Sequence, residues 1–148
     1  MENRTEKALA LHKKGYNCAQ SVACAYCDLL GIDEKTAFAA AEGFGAGMGG
    51  MREACGAATA MFLLAGLKNS SGELTKPSTK AGTYKIVKEM AARFEEKNTT
   101  LTCQVLKGLT GGPMLRSCDG CIEDACNIVE EVLLKPCLSC TGEGANAL

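Results

Sequence analysis

Ten cysteines in 148 residues, set in a sequence that otherwise favours helix, most constrain what this chain can become. A chain of this length buries a core of its own and needs no disulfide staples to fold. In a reducing compartment thiols at that density stay reduced. Their remaining uses are metal ligation, an iron–sulfur centre or thiol redox chemistry. Ala, Leu, Glu, Lys and Met are plentiful and β-branched runs are absent, a composition that favours helix over strand. The expected fold is all-α, a single-domain helical bundle of about five to six helices around a buried central helix. Residues 1–135 form that domain, and residues 136–148 a small polar tail with one C-x-x-C pair, Cys137 and Cys140.

The net charge is −1, with acidic and basic residues interspersed. Such a surface offers no electrostatic footprint for nucleic acid or an anionic membrane. Met1 to Lys7 is charged and lacks the apolar stretch of a signal peptide. The longest charge-free run, Ala54 to Leu67, is too short to span a bilayer. A cytoplasmic protein is expected, working with a redox partner protein and without nucleic acid or membrane. A homo-oligomer stays open, because a cysteine pair in a tail can bridge two subunits.

Ala8, Leu9 and Leu11 among charges predict a helix over 2–14, with Gly15 as its stop. Asn17 is a good N-cap for a second helix, Cys18 to Leu30, which Gly31 ends. Asp33 caps a third, running through Phe38 to about Glu42. Gly43 to Gly50 holds too many glycines for a helix to continue. A fourth helix, from near Cys55 to Leu67, is apolar on nearly every face and is the expected centre of the bundle. After a polar loop over 68–77, a fifth helix from Ser78 to about Lys97 carries the stripe Ile86, Val87, Met90 and Phe94. Thr102 to Gly108 reads as a short helical turn. The last helix, about Asp119 to Leu134, puts Ile122, Ala125, Val129, Val132 and Leu133 on one face before Pro136 ends it.

Four cysteines fall at or near helix starts: Cys18, Cys55, Cys103 and Cys118. Free N–H groups and positive partial charge there stabilise an anionic thiolate and lower the thiol pKa. The thiolate is the form that attacks disulfides and binds metals. Arg52 and Arg116, each within three residues of one of these sulfurs, add positive charge. Cys24 and Cys27 share one face of a helix and read as core thiols, as does Cys126 on its apolar stripe. The Cys18–Cys24 interval exceeds a plant-type ferredoxin spacing by one residue, and Cys27 faces away from Cys18 on a regular helix. Cys121 reads two ways, because Cys118-x-x-Cys121 sits at a helix start, where redox dithiols are found. One C-x-x-C is half of a zinc site, so Cys121, Cys137 and Cys140 form a candidate second metal site.

Gly45 to Gly50 satisfies G-x-G-x-x-G by spacing, but a dinucleotide site needs a preceding strand, and an Ala-rich helix stands there instead. The expected role of these glycines is close approach of backbone to backbone, or to a cluster, around Cys55. His12 is the only histidine and is expected to face solvent, so His-rich metal sites are excluded. No C-x-x-C-H occurs, which excludes covalent c-type haem. Glu42, Glu53, Asp119, Glu123 and Asp124 read as caps and solvated faces. Met48, Met51 and Met61 read as core filling in preference to a copper(I) surface.

Asn17-Cys18-Ala19-Gln20-Ser21-Val22, the glycine stretch leading into Cys55-Gly56-Ala57, Leu101-Thr102-Cys103, and Cys118 followed by Asp124-Ala125 together resemble the C_GCAxxG_C_C family. That family of redox-active proteins is named for its four cysteines. The resemblance covers roughly residues 5 to 134 and assigns the family cysteines to Cys18, Cys55, Cys103 and Cys118. The closing glycine of the family motif is Ala60 here, a small-for-small change that bears on packing. The family resembles a domain joined elsewhere to a multihaem cytochrome and associated there with an iron–sulfur centre, which implies electron transfer. The expected function is thus a redox protein whose four cysteines ligate an iron–sulfur cluster, most simply [2Fe–2S]. Thiol–disulfide exchange by the same cysteines, or a structural zinc module, are the alternatives.

Overall fold

A computed structural model describes residues 3–134. Within them the fold is all-α, with seven helices in chain order. Asn3 caps α1 (Arg4–Lys14) by accepting the Glu6 N–H at 3.0 Å, and Gly15 stops it at φ +125°. α2 (Cys18–Tyr26) tightens into a 3-10 turn over Cys27–Leu30, so the helix expected to Leu30 changes pitch at Cys27. α3 (Glu34–Ala41) is capped by Asp33 and also ends in a 3-10 turn, Glu42–Phe44. The remaining helices are α4 (Gly56–Asn69), α5 (Lys80–Asn98), the short α6 (Cys103–Leu106) and α7 (Cys118–Val129). α7 widens into a π-helical turn over Glu130–Leu134.

α4 is the expected hub and packs on α2, α5 and α7. Its Ala57, Ala58 and Ala60, with Ala19 and Ala23 on α2, are buried and short, which lets helix backbones approach closely. Larger side chains fill the space beyond: Met61 and Leu64 on α4, Met90 and Phe94 on α5, and Ile122, Ile128 and Leu133 from α7 and its extension. Burying each such side chain contributes about 1.5–3 kcal/mol. The Tyr26 hydroxyl donates to Glu130 Oε2 at 2.7 Å, tying the end of α2 to the end of α7. Cys24, Cys27 and Ala37 form a second small core, over which Tyr16 meets Phe38 edge-on at 4.9 Å. These two cysteines and Cys126 are core residues, as their positions predict. Burial pushes the thiols of Cys24 and Cys126 up to about 12.

The glycine segment does break the right-handed helix, and its hand is the unexpected part. Ala46, Gly47, Met48, Gly49 and Gly50 all have positive φ, from +52° to +85°. They form a left-handed turn in which the Gly49 N–H reaches the Gly45 carbonyl. L-residues in that conformation cost roughly 1–2 kcal/mol each, so Ala46 and Met48 are held there by their surroundings. Among the described residues, no helix is long and apolar enough to cross a membrane.

Candidate functional site

Local chemistry sets each of the four cysteines at a helix start. Asn17 accepts the Gln20 N–H at 2.8 Å, and the Gln20 side chain accepts the Asn17 N–H at 2.9 Å, a reciprocal cap that places Cys18 first in α2. The Asn17 amide also donates to the Glu42 carbonyl at 3.0 Å, which binds the start of α2 to the end of α3. Cys55 is itself the N-cap residue of α4, and Cys103 opens α6. Ser117 accepts the Gly120 N–H at 3.0 Å and so places Cys118 first in α7. One isolated antiparallel bridge, Ala54 to Thr102, joins the second and third cysteines. In it the Cys55 N–H donates to the Leu101 carbonyl at 2.7 Å, and the Cys103 N–H to the Glu53 carbonyl at 2.6 Å.

Cys18, Cys55, Cys103 and Cys118 line one cavity of about 180 Å³, and Cys121 lines it with them. Cys55 and Cys103 are 5% and 4% exposed, while Cys18 and Cys118 are half-buried. Two glycines make the close approach possible. A Cβ on Gly56 would lie 2.5 Å from the Cys18 sulfur, and one on Gly47, at φ +70°, would lie 2.6 Å from Cys103 Cβ. Within the glycine-rich stretch, Gly47 thus serves close approach to Cys103 and the Arg52 backbone. The stretch follows a helix and a 3-10 turn, without the strand a dinucleotide site needs.

The electrostatics differ from thiol to thiol. Cys55 is pulled below the usual thiol range, first by the thiol hydrogen bond that Cys121 donates, then, against burial, by the Ala58 and Ala57 N–H groups at the start of α4 and by Lys107. Cys121 is raised in turn, chiefly by that same bond to Cys55 and by burial. The helix-start expectation fails at Cys18: burial raises its pKa and outweighs the N–H groups of Ala46 and Ala19 directed at its sulfur. Arg52, three residues before Cys55 and expected to act there, donates instead to the Cys103 sulfur at 3.7 Å. Arg116 does not serve Cys118, because its guanidinium is spent on Asp124 and Glu123.

Four features escape a reading of the sequence. Lys107 lines the cavity with its ammonium buried, and Cys118, Cys121 and Cys55 raise its pKa against the opposing effect of burial. Its place four residues after Cys103 puts it one helical turn on, a spacing that hints at a shared face and no more. His12, expected in solvent, stands at the cavity wall, where its Nδ1 is 2.7 Å from Asp119 Oδ1. Asp124, expected on a solvated face, is 8% exposed and bonded to Asn98 and Arg116. Cys121, which reads as a dithiol partner of Cys118 or as a ligand with the tail pair, shares the cavity of all four helix-start cysteines. Cys137 and Cys140 lie outside the described residues.

Among the described residues, no three Cys, His, Asp or Glu side chains are gathered tightly enough to hold a single metal ion. The eight described cysteines are free thiols. No curated protein and no solved structure matches the chain. Residues 16–132 do match a family model, described as "Putative redox-active protein (C_GCAxxG_C_C)". The match covers most of the chain, and the chain belongs to that family.

Proposed function

We propose that this protein is an electron carrier whose Cys18, Cys55, Cys103 and Cys118 ligate an iron–sulfur cluster, most simply [2Fe–2S]. The observation that carries the reading is convergence: four helix-start cysteines from four separate segments border a single cavity. The donor set fits, since iron–sulfur centres are held by cysteine thiolates. So do the surroundings. A four-thiolate cluster is anionic, and this cavity offers it the Ala46, Ala57 and Ala58 N–H groups, the Arg52 guanidinium and the Lys107 ammonium. Donors aimed at sulfur tune a cluster's potential. The bound group would supply one-electron chemistry. The chain's own residues hold the sulfurs, keep bulk water from Cys55 and Cys103, and offset negative charge.

Thiol–disulfide exchange is a second reading, favoured by the Cys121-to-Cys55 hydrogen bond and the depressed Cys55. In it the Cys55 thiolate attacks a substrate disulfide and releases one thiolate. Cys121 then displaces the other, leaving a Cys55–Cys121 disulfide and a fully reduced substrate. Zinc held with Cys137 and Cys140 is the third.

Purification without oxygen tests all three, with an optical spectrum and iron, sulfide and zinc measured on one sample. Bands between about 320 and 600 nm with matching iron and sulfide support the cluster. A colourless protein that takes up neither on reconstitution overturns it. Zinc in that colourless protein moves the reading to a structural site, and no metal at all leaves exchange.

A further inference from the structure

Among the described residues, one buried side-chain nitrogen or oxygen atom has no hydrogen-bond partner: Lys107 Nζ. It stands in the wall of the sulfur cavity, on the segment that follows α6. An ammonium carries three N–H donors and no acceptor. Buried polar groups are almost always paired, and an unpaired one points to a missing partner. Cys118 interacts with this ammonium most strongly of the sulfurs, and Cys121 and Cys55 face it, but no acceptor stands in hydrogen-bonding geometry to Nζ. Arg52, the other cation of the cavity, already donates to Cys103. A group with an acceptor of its own and negative charge would satisfy the Lys107 donors, and the inorganic sulfide of an iron–sulfur cluster is such an acceptor.

We propose that Lys107 Nζ donates a hydrogen bond to an inorganic sulfide of the bound cluster and is the positioning residue that sets its potential. The inference rests on the cluster reading above. Adding an electron increases the negative charge beside the ammonium, so the cation stabilises the reduced state and raises the potential. Removing it lowers the potential. Arginine keeps the charge and the donors, and keeps the potential near its original value.

The test compares wild type, Lys107→Met and Lys107→Arg, each reconstituted anaerobically with ferrous iron and sulfide. Iron and sulfide content, helical circular dichroism and an optical redox titration are read on each. The expected result is full loading of all three, with the one-electron reduction equilibrium of Lys107→Met at least tenfold lower. That is a fall of about 59 mV or more, which Lys107→Arg largely reverses. A folded Lys107→Met that loads poorly while Lys107→Arg loads like wild type also supports the role. A loaded Lys107→Met at the wild-type potential overturns it. If Lys107→Met loses its helical signal, Lys107→Gln takes its place, and a wild-type potential there overturns the role equally. Wild type that takes up neither iron nor sulfide defeats the cluster reading, and the role of Lys107 falls with it.

Discussion

Arg52 holds Cys103 directly and through its neighbour Gln104, though Arg52 and Cys103 lie 51 positions apart. Its guanidinium donates to the Cys103 sulfur at 3.7 Å, and its carbonyl accepts the N–H of the next residue, Gln104, at 3.1 Å. The residue does this from φ +61°, a conformation that suits glycine. Backbone and side chain therefore have opposite preferences at this position.

Arg52→Gly separates them. Relief of the left-handed strain offsets the entropy that glycine loses on folding, so stability moves by less than about 1 kcal/mol. The donor to Cys103 is lost outright. The expected outcome is an unchanged melting temperature with faster loss of bound iron to a chelator. Equal iron retention in the two proteins counts against Arg52 as a sulfur donor.

Gly56→Ala reports the close approach of α4 to Cys18. The new Cβ would meet the Cys18 sulfur at 2.5 Å and the Phe44 carbonyl at 2.8 Å, and the second is backbone that cannot swing aside. Overpacking of this kind costs about 1–3 kcal/mol, and the displaced sulfur should lose its place in the cavity. Gly72→Ala is the control, since φ there is +72° but nothing lies within 4 Å. Its cost is conformational, about 1 kcal/mol, with iron content unaffected. Chemical denaturation and iron analysis on both variants distinguish crowding from backbone strain.

The bundle was legible because its signals are local. Caps at Asn17 and Asp33, the stop at Gly31 and the apolar stripe on α5 are each written within a few residues, and the helices follow them. Helix-start cysteines were legible for the same reason. What escaped was set by distance along the chain. Lys107 becomes notable only when α4, α6 and α7 meet, and His12 only when the end of α1 comes to lie beside Asp119. The left-handed turn was half legible. Its glycines forbid a right-handed helix, but Ala46 and Met48 gave no sign that they would share the opposite hand.

Asp124 anchors the segment that delivers Cys118 and Cys121. Its carboxylate accepts from Arg116 Nε at 3.1 Å, Arg116 Nη2 at 3.2 Å and Asn98 Nδ2 at 3.1 Å, on a side chain that is 11% exposed. Asp124→Asn removes the charge and turns one acceptor into a donor facing a cation. A loss of roughly 2–3 kcal/mol is expected from urea unfolding, with iron loading weakened. Glu123→Gln alters an exposed contact to the same arginine, 3.2 Å long, and should cost no more than about 1 kcal/mol. Equal losses in the two variants would show that burial of Asp124 is not what holds the segment.

The metal-free protein should sort its thiols by pH. Cys55 is held below the ordinary thiol range, first by the hydrogen bond from Cys121, so its thiolate persists at a pH where free cysteines are protonated. Alkylation of Cys55, read by mass spectrometry against pH, should have its midpoint below the usual value of about 8.5. Cys121→Ala removes that donor and should move the midpoint upward, and a midpoint that stays put refutes the bond. Cys24 and Cys126, pushed up to about 12 by burial, should stay unmodified across the same range. They also fix the sign of the stability change in base. In the unfolded chain their thiols ionise near about 8.5, whereas the folded protein keeps them protonated. Their contribution is complete below that value and is lost as pH climbs towards about 12. Melting temperature should therefore fall above about pH 9, and replacing both residues with alanine should flatten that slope even though it lowers stability at neutral pH. An equally steep fall in the double variant would place the base-sensitive groups elsewhere.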